Sequence, residues 1–176
     1  MIFRETKIRG AFAIEPERHA DERGSFARIW CARELEEHGL RSRLAQCSLS
    51  TNTRRGTLRG MHYSVPPHAE AKVVRCVRGA VYDVLLDLRA GSPTYLAWIA
   101  ETLSAENGSA LYVPEGVAHG FQTLEDGSDV LYQMSESYDP ACARGVRWDD
   151  PAFGIEWPPA ERVMSERDRT YPGFGA

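Results

Sequence analysis

In AVYDVLLDL, Ala80 to Leu88, every even position is apolar, while the odd positions include Asp83 and Asp87. A repeat of two belongs to an extended strand, because successive side chains leave it on opposite faces, and the run therefore predicts a half-buried strand. SFARIW, AKVVRCV, YLAWIAETL and DVLYQMSE read in a similar way. Turn signals separate these runs at Arg78-Gly79, Gly91-Ser92-Pro93, Glu106-Asn107-Gly108, Pro114-Glu115-Gly116 and Glu125-Asp126-Gly127. Only CARELEEHG, Cys31 to Gly39, has helical character, with Leu35 as its apolar anchor and Gly39 as its stop. Many short strands at such spacing predict a β-sandwich or barrel.

With 176 residues there is room for one domain, spanning 1–176, and too little for two ordinary ones. Pro158, Pro159 and Pro172 predict an irregular C-terminal segment lying on the barrel. A net charge of −4 excludes a generally basic nucleic-acid binder, so any anion site must be local. No apolar run approaches the ~20 residues of a membrane span, and the charged N-terminal stretch lacks a secretory core; the expected location is cytoplasmic. The four cysteines, Cys31, Cys47, Cys76 and Cys142, are far apart and form neither a disulfide framework nor a zinc ribbon pattern.

Ionisable residues concentrate in RGTLRGMHYSVPPHAEAK, Arg55 to Lys72, which holds Arg59, His62, His68, Glu70 and Lys72. Such groups collect at working sites. Strand parity puts Lys72 on the face of Val74 and Cys76, although spacing alone favours a strand-end lysine that snorkels to water. A second cluster, LYVPEGVAHGF, has the PxGxxH spacing of Pro114, Gly116 and His119, which resembles the second motif of the cupin superfamily. Metal-binding cupins also need an HxH pair. His62-Tyr63-Ser64 and His68-Ala69-Glu70 supply only single histidines, and an inward ammonium would oppose a divalent cation, so no metal and no other cofactor is expected.

Read together, DERGSF, RGTLRGMHY, KVVRCVRGAVYDVLLDLR, SPTY, YVPEGVAHGF, VLYQMSESYDP, RWDDPAFGIEWP and SERD resemble the nucleotide-sugar 4-keto 3,5-epimerases, typified by dTDP-4-dehydrorhamnose 3,5-epimerase, from about Lys7 to Arg169. The resemblance implies an all-β cupin jelly roll with a few short helices, forming a homodimer. It implies inversion at C3, C5 or both of a 4-keto-6-deoxy sugar carried on a nucleoside diphosphate. His62 matches the general base and Asp168 the carboxylate that orients it. Lys72 matches the ammonium beside the enolate oxygen, which displaces the snorkelling reading, and Tyr132 matches the acid on the other face of the ring. His119 matches a polar pocket residue. Arg23 and Arg59 match diphosphate ligands, and Phe26, Gln46 and Tyr138 match positions near the nucleotide, with Arg167 a basic residue where relatives often carry lysine. The DERG strand would serve the partner subunit.

Three positions depart from the family pattern. Arg28 and Ala143 stand where relatives carry glutamate, and Ser48 stands where they carry asparagine. The nucleobase is therefore left open among dTDP, CDP, UDP and GDP carriers. Three other readings stay beside double epimerisation: a single-centre epimerase, a ketoisomerase working through the same enolate, and a non-catalytic sugar-nucleotide-binding cupin.

Overall fold

Arg78-Gly79 makes the shortest connection between strands, carrying the chain from β7 (Lys72–Arg78) in one sheet to β8 (Ala80–Asp87) in the other, and the remaining turn signals fall outside strands. The computed structural model describes residues 1–175. The other strands are β1 (Ile2–Glu5), β2 (Phe12–Glu15), β3 (Arg18–Asp21), β4 (Gly24–Ala27), β5 (Gln46–Asn52), β6 (Leu58–Ser64), β9 (Trp98–Ser104), β10 (Ala110–Val113), β11 (Val117–Thr123), β12 (Ser128–Met134) and β13 (Ala143–Gly145). Two short helices, α1 (Ala32–Glu37) and α2 (Glu166–Arg169), complete the order.

Two antiparallel sheets face each other as a jelly roll, one ordered β1-β2-β10-β7-β12-β5 and the other β13-β6-β11-β8-β9, while β3 and β4 form a separate hairpin. Residues of alternating parity fill the space between the sheets. Val74, Cys76, Leu111, Val113 and Val130 come from the first sheet and Val81, Leu85, Val117 and Phe121 from the second. Each side chain of this size withdraws enough apolar area to contribute roughly 1.5–3 kcal/mol. A second cluster covers the outside of the six-stranded sheet, where Leu35 of α1 packs with Phe12, Ile14, Val73 and Tyr112.

The half-buried reading of AVYDVLLDL needs correction, because β8 is central in its sheet and buried on both faces. Its even positions Val84 and Leu86 pack against Val146, Phe153, Ile155 and Trp157 from the chain after β13, a cover distant in sequence. Asp83 and Asp87 are fully buried and each has a dedicated partner set. Asp87 accepts hydrogen bonds from the Arg89 guanidinium (2.8 Å), the Ser92 hydroxyl (2.6 Å) and the Thr94 hydroxyl (2.7 Å), which folds the Arg89–Thr94 turn around one carboxylate.

Three further expectations contract. SFARIW is a strand only through Ala27, YLAWIAETL begins its strand at Trp98, and the helix runs Ala32–Glu37 with Cys31 and His38 as caps. The single turn of α2 escaped the periodicity of the sequence because four residues are too few to show one.

Burial alone would push the Asp87 carboxyl up, but the Arg89, Ser92 and Thr94 hydrogen bonds outweigh it and hold the group far below the usual carboxylate range. A depressed folded-state value gives stability that is full above the unfolded value near 3.9 and is lost as pH falls toward the folded one. Asp87→Asn is expected to cost about 1–3 kcal/mol at neutral pH in urea unfolding. The gap to the parent protein should narrow as the pH is lowered below about 4.

Candidate active site

A regular strand sends residues three apart to opposite faces, yet Arg59 and His62 of β6 line the same cleft. The register explains it. His119 of β11 pairs with His62 and Phe121 pairs with Arg59, so β6 has one residue more than the facing stretch. This is a β-bulge, and it lies at Gly60, whose φ is +140° and where a Cβ would stand 2.5 Å from the Cα of Gly120. A glycine is required on both counts.

The cleft opens between the two sheets with a volume of about 220 Å³. On the five-stranded wall, His62 Nε2 lies 2.7 Å from Asp168 Oδ1. Asp168 sits on α2, whose N-cap Ser165 accepts the Asp168 backbone N–H at 3.1 Å, so the cap that starts the helix also fixes the carboxylate. Burial pushes the Asp168 carboxyl up, while the hydrogen bond and charge of His62, the Gly60 backbone and the Ser165 hydroxyl outweigh it and hold the group low. An ionised, oriented carboxylate fixes the orientation and tautomer of the imidazole. The second ring nitrogen of His62 has no hydrogen-bond partner among the described residues.

On the six-stranded wall, Lys72 is buried and its Nζ lies 2.6 Å from Glu70 Oε1. It shares the inner face with Val74 and Cys76 of the core, so it does not snorkel to water. Tyr132 of β12 faces the same space, and burial, followed by the Asp83 charge, raises its phenol well above the ordinary tyrosine value. His119 is buried behind it with the rings 5.8 Å apart, and its Nε2 lies 3.0 and 2.9 Å from the two oxygens of Asp83. Burial raises the Asp83 carboxyl, an effect that His119 and Lys72 partly offset.

At the mouth, Arg59 donates from Nε to the buried Asn52 side chain at 2.8 Å, leaving the rest of its fork toward the cleft, which Tyr138 and Arg167 also line. Gln46 accepts the Tyr138 backbone N–H at 2.9 Å and so holds that segment beside β5. Arg23 and Phe26 are not brought to this cleft by their own chain. They project on the β3–β4 hairpin, where Arg23 pairs with Asp21 at 2.6 Å and Phe26 is 76% exposed. Among the described residues no cluster of three or more His, Cys, Asp or Glu side chains forms a metal-ligand set.

Sequence reasoning missed Asp83, Asn52, Arg144 and Tyr171. Asp83 hid inside an alternating strand as a supposed solvent-facing residue, and Asn52 and Arg144 belong to no motif. Glu70, read as a residue of uncertain role, is in the cleft wall as the partner of Lys72. His68 is peripheral, 3.7 Å from Asp139.

A jelly roll with a carboxylate-backed imidazole on one wall and an ammonium and a phenol on the other is built to move protons beside a carbonyl, the work of a carbohydrate epimerase. A profile of the family described as dTDP-4-dehydrorhamnose 3,5-epimerase matches residues 5–175. The protein of that name from Sinorhizobium fredii is 40% identical over 175 residues, covering 99% of this chain and 90% of its own. A dTDP-4-dehydrorhamnose 3-epimerase from Streptomyces niveus is 42% identical over 170 residues, covering 96% of this chain and 82% of its own. The crystal structure of dTDP-4-dehydrorhamnose 3,5-epimerase from Bacillus anthracis with TDP and PPi bound superposes with a TM-score of 0.94 at 37% identity, covering 98% of each chain. The chain belongs to the dTDP-4-dehydrorhamnose 3,5-epimerase family and is an isomerase of nucleotide sugars.

Because Gly60 combines positive φ with backbone contact, Gly60→Ala is expected to lower stability by at least about 2 kcal/mol. A thermal melt within 1–2 °C of the parent, roughly what a few tenths of a kcal/mol would produce, would show that the bulge tolerates a side chain.

Proposed function

We propose that this isomerase inverts C3, and C5 as a second event, of a 4-keto-6-deoxy sugar carried on a nucleoside diphosphate, with His62 as base, Lys72 as enolate stabiliser and Tyr132 as acid. The observation that supports it is the division of the groups between the walls: His62 projects from the five-stranded sheet, Lys72 and Tyr132 from the six-stranded one. A keto sugar between the walls would lose a proton to one side, and the planar enolate so formed would take one up from the other, which is inversion.

His62 removes the proton from a carbon next to the C4 ketone through the nitrogen not held by Asp168. The electron pair moves onto the C4 oxygen, where Lys72, with His119 nearby, stabilises the developing charge in a site that largely excludes water. Tyr132, whose burial keeps its proton on, donates it to the opposite face of the carbon. Solvent exchange then resets both groups. Arg59 and Arg167 hold the diphosphate at the mouth with guanidinium forks, and Gln46 and Tyr138 border the nucleotide.

The TDP bound by the relative from Bacillus anthracis supports thymidine as the carrier. Of the three departures from the family pattern, Ala143 lines the cleft, Ser48 pairs with Tyr132 across the strands, and Arg28 is engaged by Glu34 at 2.6 Å. These differences make the nucleobase a quantity to measure across the four nucleoside diphosphates. The single-centre name of the Streptomyces niveus relative supports a second reading, inversion at C3 alone. A cytoplasmic location accords with four unbridged cysteines, and no helix among the described residues is long and apolar enough to cross a membrane.

A homodimer completes the reading. The outer face of β5, β12 and β7 presents Leu49 and Val77, and Leu131 lies opposite both Leu49 and Arg75 in register. Arg75 is buried there with Nε and Nη1 lacking acceptors, and burial, with the nearby charge of Arg18, lowers it to about 10. Such a face fits a second copy, which would also receive the exposed Arg23 and Phe26 in its cleft.

Incubation with the 4-keto-6-deoxy sugar of dTDP in deuterated water should exchange hydrogen at C3, with or without C5, by NMR. His62→Ala should slow that exchange by about 10²–10⁴-fold while the protein remains folded. No exchange with any of the four carriers would refute the reading. For the dimer, mixing His62→Ala with Arg23→Ala should recover activity that neither variant has alone, since one mixed site regains both groups. Recovery would be absent if Arg23 served its own cleft.

A further inference from the structure

We propose that Tyr171 is a positioning residue for the base: its ring stands in for a missing cross-strand side chain and holds the His62 imidazole against Asp168. This rests on His62 being the base. His62 has two cross-strand neighbours, His119 on β11 and Gly145 on β13. The first brings a ring to its flank, while the second brings no side chain, and a Cβ built on Gly145 would overlap the Tyr171 ring at Cζ, Cε1 and Cε2. The ring therefore fills the place where a β13 side chain would pack, with its centroid 6.1 Å from the imidazole and the planes at 68°.

Tyr171 reaches this place on a strap pinned at both ends. Upstream, Val163 bridges Thr57, with the Leu58 N–H donating to the Val163 carbonyl at 2.9 Å and the Val163 N–H to the Gly56 carbonyl at 3.0 Å. Downstream, the Phe174 N–H donates to Asp150 at 2.7 Å and the Phe174 ring packs on Phe153 at 5.0 Å. Between the pins lie Asp168, which grips one edge of the imidazole, and Tyr171, which closes a flank. Arg167, which lines the cleft, has its guanidinium 5.8 Å from the centre of the same ring. One strap thus delivers the carboxylate, the packing surface and a cation.

The side chain of His62 is 41% exposed, so the ring is open on its cleft side. Loss of the Tyr171 ring would free the imidazole to turn away from Asp168. Among the described residues the buried Tyr171 hydroxyl makes no hydrogen bond and has the Arg167 guanidinium as a polar neighbour, so it is the ring that meets His62.

The test compares steady-state exchange kinetics of the full-length parent with Tyr171→Phe, Tyr171→Ala, Asp168→Asn and the Tyr171→Ala/Asp168→Asn double variant. Tyr171→Phe should keep kcat and melt no lower than the parent. Tyr171→Ala should lose about 10- to 100-fold in kcat with KM nearly unchanged. In the Asp168→Asn background the same truncation should cost nothing further, since the ring acts only through the His62–Asp168 pair. Parental kcat in a folded Tyr171→Ala protein would overturn the proposal. So would an equal loss in both backgrounds, a loss carried by KM, or a Tyr171→Phe protein as slow as Tyr171→Ala. If the alanine variant does not fold, Tyr171→Leu keeps apolar bulk without the flat edge, and parental kcat there also overturns it. A parent that exchanges, with His62→Ala silent and Tyr171→Ala normal, would remove Tyr171 alone; activity in His62→Ala would remove the base reading itself.

Discussion

Between Arg59 and His62 the β6 strand holds one residue more than β11 opposite, and that surplus brings a guanidinium and an imidazole into a single cleft. In unbulged pairing one of the two would point into the outer layer with Met61 and Tyr63. The surplus is accommodated because two glycines, Gly60 and Gly120, meet backbone to backbone. A Cβ on Gly120 would also press on Met61 Sδ at 2.7 Å and on the Arg59 carbonyl at 2.9 Å. The same strand then presents His62 to α2 on one side and to His119 on the other, so the position of the His62–Asp168 pair follows from the bulge, while His119 and Asp83 sit on the regular β11–β8 pairing.

Charge is distributed along the cleft in a way that orients a substrate. In depth each cation or imidazole has its own carboxylate: His62 has Asp168, His119 has Asp83 and Lys72 has Glu70. Buried charge without such pairing would be costly. At the mouth the balance changes, because Arg59 rests on the neutral Asn52 amide and Arg167 on aromatic neighbours. The uncompensated positive charge lies outside and the compensated pairs lie inside. On the proposed reading, this polarity suits a ligand with a dianionic diphosphate at the mouth and a neutral sugar in depth.

Much of this architecture was legible in the chain because period-two patterning and glycine turns are local signals. Lys72 could be assigned to an inner face from Val74 and Cys76 alone, although its freedom from water could not. What stayed hidden depends on residues far apart. Asp83 and Asp87 looked solvent-facing because their face of β8, shared with Val81 and Leu85, is closed by the opposite sheet, while the even face is covered by Val146 to Trp157, some sixty residues later, and no window along the strand contains either cover. Tyr171 and Gly145 carry no pattern separately; they are informative only as a ring and the absence of a side chain at one point. Arg23 and Phe26, expected to act in a partner's cleft, lie on a hairpin outside their own.

The two imidazoles at the centre share a partner type and differ in what they can do. His119 is buried to 4% exposure, and Nε2 faces both oxygens of a carboxylate that is itself fully buried. His62 meets one oxygen of a carboxylate held low by its hydrogen bonds, and it keeps an open side toward the cleft. A base has to collect a proton from carbon and later release it to solvent, which requires both the oriented carboxylate and the open side. Of the two His–Asp pairs only His62–Asp168 satisfies both conditions, and this is what favours His62 over His119 for the proposed role of base.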